Sequence, residues 1–439
     1  MAKSLLRRLP SGRYELHELV RQYAADRLHA SPEEEAETRE RHCRHYLTQL
    51  QQREAALHSA HQREMLDQVT AEIDNLRLAW ESAATEHRIA WLRQTAWVLW
   101  WYYELPDLYQ EGEMMFGLAA ESARTLEVDE PASRAAQEIA ACHFQIFTAS
   151  FAFRQDRIGE TVETVAQGLD RLRKGDDAEA LFDALWIAGS SARILGDFPQ
   201  GARYVREALA LEGGSNRTWL VALCTILLGQ IELELGNYTE AHRLISKGLV
   251  LSRALGDPTI ISYAIGMLSQ TVRAQGRFAE MELLLREGYR LARESGTQYT
   301  QGLLLMQLAE IARTKGDDAE AERLYGESIA LYREKGDDWS LSRALTQLGD
   351  LQLAGGAEAK ARQSFMEALE IAQRGSYYPL ALDAMIGIAT GEAKEGRLTP
   401  AFELVLQVLR DSAATDVTKS RAEKLRIELE SQRTTKRTL

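Results

Sequence analysis

The residues of this sequence that could do chemistry at a regular spacing are arginines. Arg193, Arg273 and Arg313 each stand three positions before a glycine, in one slot of a 40-residue period. A guanidinium group presents N–H donors in a rigid fork that matches carboxylate or phosphate oxygens. The slot therefore predicts anion binding in a groove, and the alternative is that the arginines form ion pairs that only solvate the groove. The acidic candidates for such pairs are Glu234, Glu310 and Asp350.

Other side chains recur at fixed distances before the same glycines. The positions six, ten and thirteen residues before them mix polar groups with flat apolar surfaces, which is the combination that a ligand pocket needs. We predict that the following side chains line the ligand-binding groove together with the three arginines: Trp186, Gln230, Tyr263, Gln270, Met306, Glu310, Arg343 and Asp350.

Six glycines, here called the repeat glycines, set this register at intervals of 40 residues. Each follows one apolar helical pattern and precedes another, so the predicted unit is a helix, a tight turn and a second helix. In three units a further glycine follows 20 residues later, where the second helix is predicted to end in a left-handed C-cap. The repeat glycines are Gly196, Gly236, Gly276, Gly316, Gly356 and Gly396, and the further glycines are Gly256, Gly296 and Gly336.

Positions around each repeat glycine predict how the two helices of a unit pack. The residue seven positions before it is small in every unit, and the residue nine positions after it is apolar, as in Val205 and Ile245. Small residues let helices approach closely where they cross, and the apolar side chains fill the seam. The pattern resembles the tetratricopeptide repeat, although 40 residues exceed the usual length of about 34 in that family. The predicted fold is all-α, a right-handed α-α superhelix of tetratricopeptide-like helix pairs.

Composition excludes several classes of function. The 439 residues carry a net charge of −13 with no basic block beyond the short C-terminal tail, so nucleic-acid phosphate is repelled. No apolar run approaches the roughly 20 residues of a membrane span, and the N-terminus lacks the apolar region of a secretory signal. Cys43, Cys142 and Cys224 have neither metal-site nor disulfide spacing. We expect a cytoplasmic chain that is a monomer in isolation and binds neither membranes nor nucleic acid.

The sequence contains no catalytic motif. It has no GxSxG, no HExxH, no CxxC pair and no glycine-rich dinucleotide loop, and it lacks the GxxxxGK[ST] loop that binds nucleotide phosphates. We therefore predict no enzyme activity and no cofactor for this chain. Histidines spaced three apart could bind a metal, but arginines stand between them, so they predict a solvated helix face. These histidines are His42, His45, His58 and His61.

An aromatic cluster precedes the regular repeats. Its spacing predicts a divergent helix pair whose aromatic face packs in the core, and the alternative is an aromatic box that holds a ligand. The cluster consists of Trp91, Trp97, Trp100, Trp101, Tyr102 and Tyr103.

The run RYELHELVRQYAADRL, residues 13–28, predicts a short strand and a helix that starts at His17, after a short helix and a Pro-Ser-Gly turn. The run resembles the last strand and helix of the winged-helix domain in signal-transduction ATPases with numerous domains (STAND). Leu16-His17-Glu18 corresponds to the Met-His-Asp motif of that family. The resemblance implies that His17 contacts the β-phosphate of ADP in a full-length protein whose nucleotide-binding core precedes this chain. The alternative is that His17 only caps its helix.

Register and resemblance together divide the chain into four parts. They are a winged-helix remnant (1–30), a helical arm (31–87) of two long helices that break near Ser59, a superhelical sensor (88–411) and a polar C-terminal helix and tail (412–439). The resemblance implies that sensor and arm keep a regulatory ATPase, a transcriptional regulator, inactive until a small-molecule or protein inducer enters the groove. ADP or ATP would then belong to the full-length protein. The alternative is a free-standing tetratricopeptide scaffold that binds a peptide or protein partner.

Overall fold

A computed structural model describes residues 6–8, 14–104, 108–127, 130–155, 157–211, 217–274 and 276–438. Strands β1 (Leu6–Arg8) and β2 (Tyr14–Leu16) form an antiparallel pair in which Leu6 is opposite Leu16. The short helix predicted before the Pro-Ser-Gly turn is therefore wrong, because this segment is extended and pairs with the second strand. The turn itself lies outside the described residues.

Five helices follow the hairpin: α1 (Glu18–His29), α2 (Pro32–Gln52), α3 (Glu54–Leu57), α4 (Gln62–Ala71) and α5 (Ile73–Thr85). The predicted break near Ser59 is confirmed, since it falls between α3 and α4. Two further interruptions, at Arg53 and Glu72, divide the two expected long helices into four. Helix α1 buries none of its side chains in the described part of the chain.

Eight helix pairs and a final helix make up the rest of the described chain. The first three pairs are α6 (Ile89–Glu104) with α7 (Tyr109–Thr125), α8 (Pro131–Arg154) with α9 (Ile158–Leu172), and α10 (Ala178–Leu195) with α11 (Phe198–Ala210). The next three are α12 (Thr218–Glu234) with α13 (Tyr238–Leu255), α14 (Pro258–Ala274) with α15 (Phe278–Ser295), and α16 (Gln298–Thr314) with α17 (Asp318–Lys335). The last are α18 (Asp338–Ala354) with α19 (Glu358–Arg374), α20 (Tyr378–Lys394) with α21 (Leu398–Arg410), and the single helix α22 (Asp416–Thr438).

The glycine register is confirmed by the backbone. All six repeat glycines have φ between 74° and 86°, a left-handed conformation in which a Cβ atom is strained. The further glycines Gly256, Gly296 and Gly336 have φ of 74°, 76° and 70° and are the C-caps of α13, α15 and α17. Glycine chemistry therefore fixes both turns of the unit.

The predicted packing seam inside each unit is also present. A Cβ atom at Gly189 would lie 2.5 Å from Val205 Cγ2, and one at Gly229 would lie 2.5 Å from Ile245 Cγ1. These are the positions seven before and nine after successive repeat glycines. Any larger residue would push the paired helices apart, because the interior is close-packed.

The superhelix closes on itself after five units. At the end of α10, a side chain at Gly196 would lie 3.0 Å from Pro379 Cγ, near the start of α20. One unit further along, a side chain at Gly236 would lie 2.9 Å from Asp416 Oδ2, at the start of α22. Successive turns of the superhelix are therefore in contact, and the concave face expected from the sequence is here called the interior.

Candidate functional site

Two arginines from different units meet on one indole ring in the interior. Cζ of Arg193, on α10, lies 5.2 Å from the ring centroid of Trp339 on α18. Cζ of Arg343, one turn further along α18, lies 5.8 Å from the same ring. Both distances are those of cation–π contacts. The contact joins units that are far apart in sequence, which places these first-helix faces on the inside of the superhelix.

Neither guanidinium group forms an ion pair with a described residue. Arg343 Nη2 donates a hydrogen bond of 3.3 Å to Gln270 Oε1, on α14. The Nε atom of Arg193 is buried and has no hydrogen-bond partner among the described residues. Each arginine carries five donors, so most of the donor capacity at this point is unused.

Glu234, near the end of α12, supplies a carboxyl group to the same interior. Burial raises its pKa, and the nearby Arg193 and Arg343 oppose that rise, while Asp383 adds to it. The side chain keeps some contact with solvent, and charged groups from α10, α18 and α20 act on its carboxyl group. Within the described chain Glu234 forms neither a hydrogen bond nor an ion pair. A carboxyl group of this kind is typical of functional sites.

Amide and phenol groups complete the set, here called the interior site. Gln230 Nε2 donates to the Tyr263 hydroxyl at 2.7 Å, and Gln230 Oε1 is buried without a partner in the described chain. The Tyr263 ring lies 6.1 Å from that of Tyr299, whose pKa is raised by burial. The interior site consists of Arg193, Gln230, Glu234, Tyr263, Gln270, Tyr299, Trp339 and Arg343.

Three other predicted groove residues already have partners. Arg313 pairs with Glu310 at 2.6 and 3.0 Å on the same helix, as the ion-pairing alternative expected. Asp350 accepts two hydrogen bonds, of 2.9 and 3.0 Å, from Nη2 of Arg421 on α22. Burial raises the pKa of Asp350. The ligand-binding roles of Arg313, Glu310 and Asp350 stay predictions, because a ligand would first have to displace these partners.

The remaining predicted groove residues lie elsewhere. Arg273 is exposed, without an ion pair in the described chain, and its role stays a prediction. Met306 is 2 % exposed and belongs to the hydrophobic core, which removes it from the residues that could contact a ligand. Trp186 packs against Trp97 and Trp100, with ring centroids 5.8 and 5.6 Å apart.

The aromatic cluster of α6 is core, as the sequence predicts. Apart from Trp91, which is partly buried, its members are less than 9 % exposed. Trp97 Nε1 donates to Asp183 Oδ2 at 2.6 Å, and the same carboxyl group accepts from His143 Nε2 at 3.0 Å and faces Arg217 at 3.4 Å. Asp183 is fully buried and links residues of four units through Oδ2, while its Oδ1 has no hydrogen-bond partner in the described chain.

One of the histidines predicted to lie on a solvated face does not. His58 is 4 % exposed; its ring stacks on Trp219 at 3.8 Å, and its Nδ1 lies 3.4 Å from Asp257 Oδ2. The prediction fails for His58 because the short helix α3 folds back onto the starts of α12 and α14. In the described chain, no group of three or more potential ligands is arranged to hold a metal ion.

His17 is the N-cap residue of α1. Its Nδ1 accepts a hydrogen bond of 3.3 Å from the backbone N–H of Leu19, and the side chain is exposed. This geometry is what the capping alternative expects. The nucleotide-sensing role stays a prediction from the resemblance.

Sequence reasoning missed three members of the interior site. Tyr299 and Trp339 stand 17 positions before a repeat glycine, where Trp219 also stands, so an aromatic residue recurs in that slot in three units. Glu234 follows Gln230 by four positions and therefore shares its helix face. Both patterns are present in the sequence, but only the contact between successive turns of the superhelix brings these residues together.

The outer surface offers a groove of a different kind. A groove of about 1130 Å³ lies between α15 and α17 over a floor from α16. Five cations and five carboxylates line it, so their charges cancel. The cations are Arg286, Arg290, Arg293, Lys315 and Arg323, and the acids are Glu282, Glu294, Asp317, Glu320 and Glu327. Separately, the described helices include none whose length and hydropathy would suit a membrane crossing.

Comparison with known proteins gives three results. A family profile described as tetratricopeptide repeat matches residues 300–374. The chain matches no curated protein. Among solved structures it is similar to a Rap protein complexed with competence and sporulation factor, at 10 % identity and a TM-score of 0.53, over 76 % of this chain and 97 % of that one.

Two further structures are similar. One is the Rap conjugation gene regulator of a plasmid, in complex with a Phr peptide, at 13 % identity and a TM-score of 0.52, covering 80 % of this chain and 96 % of that one. The other, from Pyrococcus horikoshii, is a STAND protein with a tetratricopeptide repeat sensor, at 13 % identity and a TM-score of 0.43, covering 74 % and 50 %. A TM-score of 0.43 is too low to support an argument from this structure. Together with the helix pairs, the comparisons identify the fold as a tetratricopeptide-like α-α superhelix.

Proposed function

We propose that this chain is a ligand sensor that binds its inducer at the interior site of the superhelix. The observation that carries the proposal is the meeting of Arg193 and Arg343 on Trp339, with the carboxyl group of Glu234 near both arginines. None of the three ionisable groups has an ion-pair partner among the described residues. Half-buried charges without partners cost free energy. A ligand that supplies these partners is stabilised by charge-assisted hydrogen bonds to them.

The proposal includes a response to binding. Successive turns of the superhelix touch at Gly196 and Gly236, and the arm packs through His58 onto α12 and α14. A ligand can shift such an arrangement only if it binds one arrangement better than the other. We expect the preferred arrangement to differ in these two contacts, since both involve the units that carry Arg193 and Glu234.

The parent protein in this proposal is a cytoplasmic STAND-type regulator, with the hairpin and α1 as the end of its winged helix. Support comes from the resemblance of residues 13–28 and from α1, which buries none of its side chains among the described residues. The chain itself would have no enzyme activity. Nucleotide would bind to the rest of the parent.

A second candidate is a peptide-binding scaffold without an ATPase partner. The peptide and factor complexes of the two Rap proteins favour it, since those proteins share the superhelical fold. Reading the coding sequence upstream in frame separates the two candidates. A phosphate-binding loop there supports the sensor, and a stop codon next to a ribosome-binding site supports the scaffold.

Thermal unfolding with size-fractionated cell extract tests the interior site. A ligand at about 100 times its Kd adds roughly 2.7 kcal/mol of stability. We expect one fraction to raise the unfolding temperature of the wild type and of the control R203Q/R293Q, which changes two exposed outer arginines. The same fraction should have little effect on R193Q/R343Q. Equal stabilisation of all three proteins would place the ligand elsewhere.

A further inference from the structure

The charges of the interior site are of both signs and are held apart. We infer that the site binds a small zwitterion, an amino acid or a short peptide, whose carboxylate lies between Arg193 and Arg343 and whose ammonium group lies at Glu234. The inference rests on the proposed function and adds the chemical class of the ligand.

The arginine side of the site is suited to a carboxylate. Arg193 and Arg343 approach one indole ring from two helices, α10 and α18, so both guanidinium groups lie against Trp339. Gln270 takes up one donor of Arg343, and the Nε of Arg193 has no acceptor among the described residues. A carboxylate can accept from two guanidinium groups at once, because it has two oxygens with about four lone-pair sites.

The carboxyl side of the site is suited to an ammonium group. Glu234 has no donor from any described residue, although Arg193 and Arg343 are near enough to influence its ionisation. The two guanidinium groups lie against the ring of Trp339 and do not pair with the carboxyl group of Glu234. An ammonium group has three donors and can satisfy both this carboxyl group and the buried Oε1 of Gln230, one helical turn before it.

The groups around Glu234 favour a ligand that carries both signs of charge. The groups that act on Glu234 are two guanidinium groups and the carboxylate of Asp383. Asp383 accepts a hydrogen bond of 2.7 Å from Thr418 Oγ1, so its carboxyl group already has a donor within the protein. Groups of both signs therefore lie at this point. A simple anion would leave Glu234 without a donor, and a simple amine would leave the Nε of Arg193 without an acceptor, whereas a zwitterion supplies both.

The experiment uses defined probes on the whole chain. Isothermal calorimetry and thermal unfolding are measured with an equimolar mixture of the 20 common amino acids and with a random pentapeptide mixture. The peptides are also supplied with the amino end acetylated or the carboxyl end amidated. We expect one free mixture to bind, and each modification to weaken binding about tenfold or more, because each removes charge-assisted hydrogen bonds.

Variants assign the two ends. In E234Q, acetylation should no longer weaken binding, and in R193Q/R343Q, amidation should no longer weaken it. The controls E322Q and R203Q change exposed side chains on the outer surface and should behave as the wild type. These cross-effects would not arise if the substitutions only loosened the fold.

The outcomes separate the ligand class from the proposed function. If no amino acid or peptide binds at millimolar concentration, or if modified and free peptides bind equally, the zwitterion assignment is overturned. The proposed function survives that result if an extract fraction still stabilises the wild type and not R193Q/R343Q. If peptides bind all variants equally, both the ligand class and the interior site are wrong.

Discussion

The inner and outer surfaces of the superhelix use arginine differently. On the outside, an arginine near the end of a second helix pairs with a glutamate 34 residues later, on the next second helix. This pair recurs as Arg173–Glu207 at 2.7 Å, Arg253–Glu287 at 2.8 Å and Arg333–Glu367 at 2.7 Å. On the inside, Arg193 and Arg343 lie near Glu234, and none of the three forms an ion pair with a described residue.

The difference shows which charges serve the fold. Exposed ion pairs contribute about 0–1 kcal/mol each and keep the surface hydrated. They can therefore recur in successive units with little effect on the stability of the fold. Interior charges lose hydration, and those that only stabilise the fold should be paired and hydrogen-bonded. Asp183 has three partners at Oδ2, although its Oδ1 has none in the described chain. Arg193, Arg343 and Glu234 have no ion-pair partner among the described residues at all, which is why we assign the interior site to a ligand.

The largest expected effect comes from the buried charge that is paired. D183A removes the acceptor of Trp97 and His143 and leaves Arg217 without this partner. We expect the free energy of unfolding to fall by about 3–5 kcal/mol, since breaking a buried pair leaves uncompensated polar groups. Urea denaturation measures it. In the control D176A, which changes an exposed aspartate, the free energy of unfolding should stay within about 0.5 kcal/mol of the wild-type value. If D183A were equally close to the wild type, the distinction between paired and unpaired interior charges would not hold.

A smaller change in the free energy of unfolding, a gain instead of a loss, is expected on substitution of Glu234. Because burial raises its pKa in the folded state, the carboxylate costs stability above the folded pKa. Below the pKa of the unfolded chain, about 4.3, the group is neutral in both states and the cost disappears. E234Q should therefore be more stable than the wild type at pH 8, by roughly 0.5–2 kcal/mol.

The stability advantage of E234Q over the wild type should shrink as the pH falls from the pKa of Glu234 in the folded protein to about 4. Denaturation curves at several pH values provide the measurement, with E322Q as the control. A gain that persists undiminished at pH 4 would show that ionisation of Glu234 is not its cause.

The smallest effect is expected on the outer surface. R253A removes one of the recurring pairs with Glu287, and both side chains are more than a third exposed. The loss in unfolding free energy should be below about 1 kcal/mol and should decrease in high salt. A double-mutant cycle with E287A gives the coupling energy. A coupling well above that range would mean that the outer pairs also hold the superhelix together.

Local chemistry made much of the fold predictable. The repeat glycines determine the turns, and Gly189 and Gly229 determine the helix crossings, because each depends on a contact within one unit. The extended segment at Leu6–Arg8 was not predictable from its own composition, since its conformation depends on pairing with Tyr14–Leu16. The fold of His58 onto Trp219 likewise depends on a partner far along the chain.

The candidate site was predictable only in part for a related reason. Arg193, Gln230, Tyr263, Gln270 and Arg343 follow from the register, since their slots lie on the inner face of the first helix. Which units meet across the interior depends on the pitch of the superhelix. The pitch sums small inclinations between neighbouring pairs over five units, and no local pattern encodes it. For that reason the meeting of Arg193 with Trp339 could not be predicted from local patterns.

The most direct test of the central claim is the free energy of unfolding of R193Q/E234Q/R343Q in plain buffer, compared with the wild type. We predict that the free energy of unfolding stays within about 1 kcal/mol of the wild-type value or exceeds it, because the lost cation–π contacts are offset by removal of the unpaired charges. A loss of more than about 2 kcal/mol would show that these charges hold the fold together. It would contradict their assignment to a ligand.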